Sequence, residues 1–147
     1  MNIFYKIIDF FKYLPQEIKY FWQRGIRGYS DRDVLGIDEW FLNIIVPMLE
    51  QLKETKLGYP PDLTSEQWDD ILDRIIFCFK EANEETCSMV NEYETDFMFG
   101  IFGNLEKESK GLENNYFKRA EEIENYQLQM KEEAFKLFSK YFHALWN

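Results

Sequence analysis

Apolar side chains recur along most of the chain at the three- and four-residue spacing of an amphipathic helix. The clearest stripe follows a T-x-x-Q sequence, Thr64 to Gln67, which predicts a helix start with a reciprocal cap. The stripe contains six large apolar residues: Trp68, Ile71, Leu72, Ile75, Ile76 and Phe79. We therefore expect this helix to bury one face in the core.

A similar stripe runs near the start of the chain. It begins at Ile3 and continues through Ile18, Phe21 and Trp22, and Pro15 predicts a break or a second helix start within it. We favour a helix that packs in the core. Because lysines and arginines flank the rings, a helix lying in a membrane interface is the alternative.

Two further helices are expected on either side of the central one. One carries its stripe from Ile37 to Leu52, and Pro47 predicts a kink inside it. It is followed by a loop at Gly58-Tyr59-Pro60-Pro61, because glycine and proline interrupt regular structure there.

The last stripe starts at Leu112 and predicts a helix of about 35 residues, ~50 Å long if it continues to Trp146. That length favours a bend, a break near Asn125, or pairing with a partner chain. Residues 88–111 have no clear periodicity. We predict a single all-α domain over residues 1–147, a compact bundle of four to six helices with a long C-terminal helix.

Charge is distributed unevenly along the chain. The net charge is −10, yet residues 1–30 hold five basic and two acidic side chains, whereas the rest hold 12 basic and 25 acidic ones. We therefore separate basic N-terminal helices, residues 1–30, from an acidic helical core, residues 31–147. The overall negative charge disfavours direct binding to nucleic acid.

Cysteine and histidine are too sparse to suggest a metal or a nucleophilic site. Cys78 and Cys87 match no zinc spacing and predict reduced thiols in the cytoplasm, and His143 has no local catalytic partner. Its place near a helix end suits a cation. No signal peptide and no membrane span are predicted, and no cofactor or metal is expected.

Four carboxylates share one face of the central helix, opposite its apolar stripe: Glu66, Asp69, Asp70 and Asp73. Such a row is able to hold Mg²⁺. Its sequence, D-D-x-x-D, resembles the acidic motif of isoprenoid synthases. Those enzymes are about twice this length and need a second acidic motif, so we reject that match.

The all-α nucleoside triphosphate pyrophosphohydrolases are a closer enzyme alternative. They pair E-x-x-E with E-x-x-D, whereas here Glu66-x-x-Asp69 precedes Glu81-x-x-Glu84, the reverse order. We favour a solvated acidic face, with Asp70 and Arg74 as a helical ion pair. The same four residues are the candidate acidic surface for a protein partner.

The segment from Arg24 to Asp33 concentrates polar chemistry. Its candidate binding residues, together with a ring farther along, are Arg24, Arg27, Tyr29, Ser30, Asp31, Asp33 and Trp40. Arginine forks suit phosphate and a ring can stack on a base. The structural alternative is Gly28 as a C-cap and Ser30 as an N-cap that pairs with Asp33. It leaves both arginines and Asp31 unexplained.

Four blocks covering about half of the chain resemble a family of small tailed-phage proteins. They are R-G-x-R-G-Y-S-D-x-D-V from Arg24, the segment from Trp40 to Leu52, E-Q-W-D-D-I-L from Glu66, and the ending L-F-x-K-Y-F-x-x-L-W. The family shows R-G-(Y/W)-S-D-x-D-(V/T)-W, E-W-x-x-I-L-x-x-(I/M) and a C-terminal (F/Y)-F-x-x-L-W. Leu35 departs from it where the family has Trp, which suggests different binding or a substitute role for Trp40.

The resemblance implies a phage protein, and small acidic phage proteins without catalytic groups commonly disarm host defences by binding. We expect such a protein in the cytoplasm of the infected bacterium. It would sequester a nucleotide-like immune signal or inhibit a defence protein in the manner of an anti-CRISPR. Alternatives are the Mg²⁺-dependent pyrophosphohydrolase and a virion or scaffold component, and self-association is possible because the last helix is long.

Overall fold

The computed structural model describes the backbone of residues 3–102 and 109–146, and the side chains of residues 15–99 and 113–146. Within these ranges all regular structure is helical. The α-helices are α1 (Ile3–Arg27), α2 (Ile37–Thr55), α3 (Ser65–Ala82), α4 (Glu94–Phe102) and α5 (Ser109–Tyr141). Two short 3₁₀ turns cover Asp33–Leu35 and Phe142–Ala144. The predicted all-α class and long C-terminal helix are confirmed.

The chain divides into two compact units, Met1–Asn43 and Ile44–Asn147. The first unit extends past the charge boundary at residue 30, because Asp31 and Asp33 pair with cations of α1. That all 147 residues form one domain stays a prediction.

Helix α1 continues through Pro15, so the predicted break there is wrong. Proline removes one hydrogen bond of the helical ladder, which is tolerated in a helix of 25 residues. The expected burial of its stripe is also wrong for the described residues Ile18, Phe21 and Trp22, which are 50–74% exposed. Periodicity identifies the apolar face of a helix but does not show what covers it.

The core of the second unit is built on α3. Its Thr64 hydroxyl accepts from the Gln67 amide and the Gln67 side chain accepts from the Thr64 amide, which confirms the predicted capping box. Trp68 is only 1% exposed, and Phe79 is fully buried with its ring centroid 5.3 Å from that of Phe135 on α5. The predicted stripe is therefore the core face of α3, and Ile71 at its margin is half-buried.

The remaining helices clarify several sequence expectations. Helix α5 is continuous through Asn125, so the predicted break there is wrong. Helix α4 occupies part of the segment that lacked periodicity, and its Phe97 ring stacks on Tyr116 of α5 at 4.0 Å. Residues 103–108 of that segment lie outside the described residues. Helix α2 runs through Pro47, where a kink stays a prediction.

Candidate functional site

Helix α1 ends in a tight polar turn. Gly28 adopts a φ of +83° and its amide donates to the Arg24 carbonyl at 2.9 Å. A positive φ favours glycine, and this bond satisfies a carbonyl at the helix end. The predicted C-cap is confirmed, and it turns the chain so that residues 30–33 lie beside the last turns of α1.

Arg24 and Asp33 form a two-pronged ion pair within this turn. The guanidinium donates from Nε to one carboxylate oxygen at 2.9 Å and from Nη2 to the other. The same Asp33 accepts from the Ser30 amide at 2.7 Å. The hydrogen bond from Arg24 is the main reason that the pKa of Asp33 lies well below its ordinary value.

Asp31 is the centre of a second network. It accepts from Gln23 Nε2 at 2.7 Å and from Arg27, and it lies 3.0 Å from the Lys19 ammonium. Its own amide donates to Gln23 at 2.9 Å. These bonds, with Gln23 the largest contribution, lower the pKa of Asp31 well below its ordinary value. Arg27 also donates to the Tyr29 carbonyl and lies 4.6 Å from the centroid of that ring.

Ser30 lies in this turn and pairs with Asp33 as predicted, whereas Trp40 lies outside the turn. Ser30 is fully buried, and its amide, rather than the predicted hydroxyl cap, bonds to Asp33. Its hydroxyl has no hydrogen-bond partner among the described residues. Trp40 lies half-buried in the first turn of α2, with its amide bonded to Gly36. Within the described residues no hydrogen bond or ring contact joins Trp40 to the arginines.

The turn therefore brings together six of the seven residues singled out in the sequence, and it bonds most of them to one another. Both guanidiniums face carboxylates, so an incoming phosphate would compete with Asp31 and Asp33 for the same donors. This arrangement stabilises the end of α1. That these residues hold a ligand stays a prediction.

The acidic row of α3 is partly neutralised by one lysine in the last turn of α2 and one that directly follows it. Asp69 lies 2.5 Å from the Lys56 ammonium, and Asp73 lies 2.6 Å from that of Lys53. Glu66 and Asp70 are exposed, and neither has an ion pair in the part of the chain that the structure describes. The row thus presents about half of the negative charge that the sequence suggested.

The helical spacing predicted an ion pair between Arg74 and Asp70, and this prediction is wrong. Arg74 donates from Nε and Nη2 to the two oxygens of Glu133 on α5, both at 2.7 Å. A two-pronged bond to a carboxylate is stronger than a single contact between flexible surface groups. Across residues 3–102 and 109–146, no group of three or more acidic, histidine or cysteine side chains is placed to hold a metal ion. The enzyme alternative stays a prediction.

A buried carboxylate joins α3 to the segment that follows it and to α5. Glu81 is 5% exposed, and one of its oxygens accepts from the Ser88 amide at 3.1 Å, the Ser88 hydroxyl at 2.6 Å and the Tyr126 hydroxyl at 3.0 Å. Burial acts to raise the pKa of Glu81, but the bonds from Ser88 and Tyr126 outweigh it and lower the pKa. No local pattern predicts this cluster, since Tyr126 lies 45 residues from Glu81 in the chain.

Helix α1 carries an exposed apolar face. Ile18, Phe21, Trp22 and Ile26 occur at i, i+3, i+4 and i+8, which places them on one face of the helix. Phe21, Trp22 and Ile26 are 74%, 63% and 80% exposed. We call these four residues the α1 stripe.

Comparisons with known proteins offer no relative. No protein-family model, no curated protein sequence and no solved structure matches the chain. Among the described helices, none is long and apolar enough to cross a bilayer. The functional argument therefore depends on the geometry of the residues themselves.

Large exposed rings with helical spacing have a specific use in recognition. An amphipathic helix binds a partner by inserting anchors at i, i+3, i+4 and i+7 or i+8 into an apolar groove. Tryptophan and other aromatic side chains contribute most to such contacts because they bury a large area with few rotatable bonds. The α1 stripe has this pattern, whereas the charges of the polar turn and two of the four carboxylates in the acidic row are paired within the protein.

Proposed function

We propose that the chain is a phage-encoded accessory protein that counters a bacterial defence by binding a defence protein. It acts in the cytoplasm of the infected host and without catalysis. The α1 stripe is the contact surface, and it docks in an apolar groove of the partner. The phage setting is supported by the resemblance of the Arg24–Val34, Trp40–Leu52, Glu66–Leu72 and C-terminal motifs.

The exposure of the α1 stripe is the observation that carries this proposal. Burying a side chain such as Phe or Trp contributes about 1.5–3 kcal/mol, and the described structure leaves most of that area of Phe21 and Trp22 exposed to solvent. A run of large side chains on one helix face is uncommon on proteins that act alone. A protein partner would cover them.

The charges of α1 favour a protein groove, rather than an anionic lipid surface, as the partner that covers the α1 stripe. The three cations in the described half of α1, Lys19, Arg24 and Arg27, all pair with Asp31 or Asp33. Their attraction to phosphate headgroups is reduced, because carboxylates already neutralise them. A groove whose apolar floor takes the rings needs no such attraction.

The same pairing argues against sequestration of a nucleotide by Arg24 and Arg27, which would have to release their carboxylates. Lysine pairing likewise limits the acidic row as a partner-binding surface, since Asp69 and Asp73 are already neutralised. The protein-binding mode therefore has the strongest support of the alternatives drawn from the sequence.

A protection assay tests the proposal. A phage whose growth on a defended host requires this protein is complemented with the wild type, with Trp22→Ala or with Phe77→Ala. Phe77 is a matched control because it is an exposed ring on α3, outside the α1 stripe. We expect the wild type and Phe77→Ala to restore plaques and Trp22→Ala to lose most of the protection.

Two outcomes would count against the proposal. Protection retained by Trp22→Ala but lost on charge reversal of Asp69, Asp70 and Asp73 would assign binding to the acidic row. Sedimentation of the pure protein as a dimer that Trp22→Ala dissociates would show that a second copy covers the stripe. In that case the stripe is a self-association surface.

A further inference from the structure

A cavity in the second unit lies between two segments that the function proposed above does not use. The loop that joins α2 to α3 forms one wall, and the end of α5 with its following 3₁₀ turn forms the other. Its volume is about 420 Å³, which lies in the range of small-molecule sites. The residues that define its chemistry are Tyr59, Asp62, Lys140, Tyr141, His143 and Trp146.

Three aromatic rings line this cavity, and they are held differently. Tyr141 is half-buried, and its ring centroid lies 5.5 Å from that of Trp68. Because Trp68 is buried in the core, this contact fixes Tyr141 in place. Tyr59 and Trp146 are 54% and 72% exposed, so a planar ligand has access to their rings. The cavity thus combines a fixed ring with two accessible ones.

Polar groups of both signs line the same cavity. Lys140 is an exposed donor whose ammonium lies 4.8 Å from the Tyr141 ring centroid. His143 follows it in the 3₁₀ turn and adds a ring nitrogen. Asp62 contributes an exposed carboxylate from the loop. An occupant must therefore offer an anion to the two donors and a hydrogen-bond donor to the carboxylate.

We propose that this cavity binds a nucleoside monophosphate. The base stacks on Tyr59 and Trp146, the phosphate accepts hydrogen bonds from Lys140 and His143, and a ribose hydroxyl or base amine donates to Asp62. A phosphate has enough acceptor oxygens for two donors, and a base has a flat face for the rings. This inference goes beyond the proposed function, because the cavity and the α1 stripe are formed by different segments.

Charge limits the number of phosphates. Lys140 is the only permanent cation among the described residues that line the cavity, and Asp62 offsets it. A diphosphate or triphosphate would bring further negative charge towards Asp62 without another cation to balance it. The cavity should therefore prefer a single phosphate.

Calorimetric titration of the full chain tests this inference. The probes are the adenosine, guanosine, cytidine and uridine monophosphates, each compared with its own nucleoside, and adenosine triphosphate. We expect at least one monophosphate to bind about ten-fold more tightly than its nucleoside, since a charge-assisted bond is gained. Lys140→Ala should remove that difference, and Lys140→Arg should keep it. Trp146→Ala should weaken the nucleoside and the monophosphate alike.

Matched variants separate binding from structural effects. Lys136 lies one turn earlier on α5 and does not line the cavity, so Lys136→Ala should bind as the wild type does. If Lys140 only complements the helix dipole, Lys140→Ala would lower the melting temperature and leave affinity unchanged. That result would overturn the inference. So would tighter binding of free aromatic amino acids, or the absence of binding heat from every monophosphate at millimolar concentration. Trp22→Ala should bind the monophosphate normally, so the two proposals fail separately.

Discussion

Arg24 holds Asp33 through both oxygens of its carboxylate, across the turn that ends α1. The contact orders the chain between the helix and the 3₁₀ turn that follows, because Asp33 also accepts from the Ser30 amide. An arginine and an aspartate that look like a ligand site in the sequence are therefore each other's partners. Their first role is structural.

Replacing Arg24 with lysine tests that role. Lysine keeps the charge but cannot make two parallel bonds to a carboxylate, so the turn should loosen. We expect amide hydrogen exchange at Ser30 and Asp33 to become at least several-fold faster, measured by NMR. Arg32→Lys is the control, because Arg32 and Glu17 form an exposed pair at 3.4 Å. Equal protection in both variants would contradict the assignment.

Glu81 should make the stability of the second unit depend on pH. Its pKa in the folded protein lies below the ordinary value of 4.5. The stability it contributes is therefore present above that value and is lost as pH falls through the folded-state pKa. Urea unfolding from pH 7 to pH 3 compares the wild type with Glu81→Gln. The difference between their free energies of unfolding should become smaller as the pH falls. A difference that does not change with pH would contradict a stabilising role of the ionised Glu81 carboxylate.

Tyr126→Phe isolates one bond of the same cluster. The tyrosine hydroxyl donates to Glu81 at 3.0 Å, and burial together with this bond raises its pKa. Its removal should cost about 1 kcal/mol in the free energy of unfolding. Tyr116→Phe is the control, since it keeps the stack on Phe97 and loses no hydrogen bond that the structure describes. A similar loss of unfolding free energy in both variants would show that the hydrogen bond to Glu81 does not stabilise the protein.

Truncation of two tryptophans should change the free energy of unfolding by very different amounts. Trp68→Ala should lower the free energy of unfolding by about 3–5 kcal/mol, because the ring is buried against Tyr141. Trp22→Ala should change it by about 0.5 kcal/mol or less, because that ring is 63% exposed. Chemical denaturation measures both. A large loss for Trp22→Ala would mean that the α1 stripe is covered in the folded protein.

Local signals in the sequence were enough for the start and the buried face of α3. The cap at Thr64 and the buried face of α3 follow from residues within a few positions of one another. Long-range pairs were not accessible in this way. Lys53 and Asp73 are 20 residues apart, and Arg74 and Glu133 are 59 apart, so only the fold reveals that they meet.

The candidate sites show the same limit. The Arg24–Asp33 segment was identified by its composition, but the pairing of its charges depends on how Gly28 turns the chain. The apolar period of α1 predicted a buried helix, whereas Trp22 is exposed. The cavity beside Trp146 arises where the 58–62 loop meets the end of α5, which no local pattern records.

Site-specific photocrosslinking tests the central claim most directly. A benzophenone amino acid replaces Trp22 in one variant and Phe77 in another, and both are expressed during infection of a defended host. The α1 stripe as a docking surface predicts one discrete adduct with a host defence protein from position 22 and none from position 77. Adducts of equal yield from both positions, or only a crosslink between copies of this chain, would contradict it.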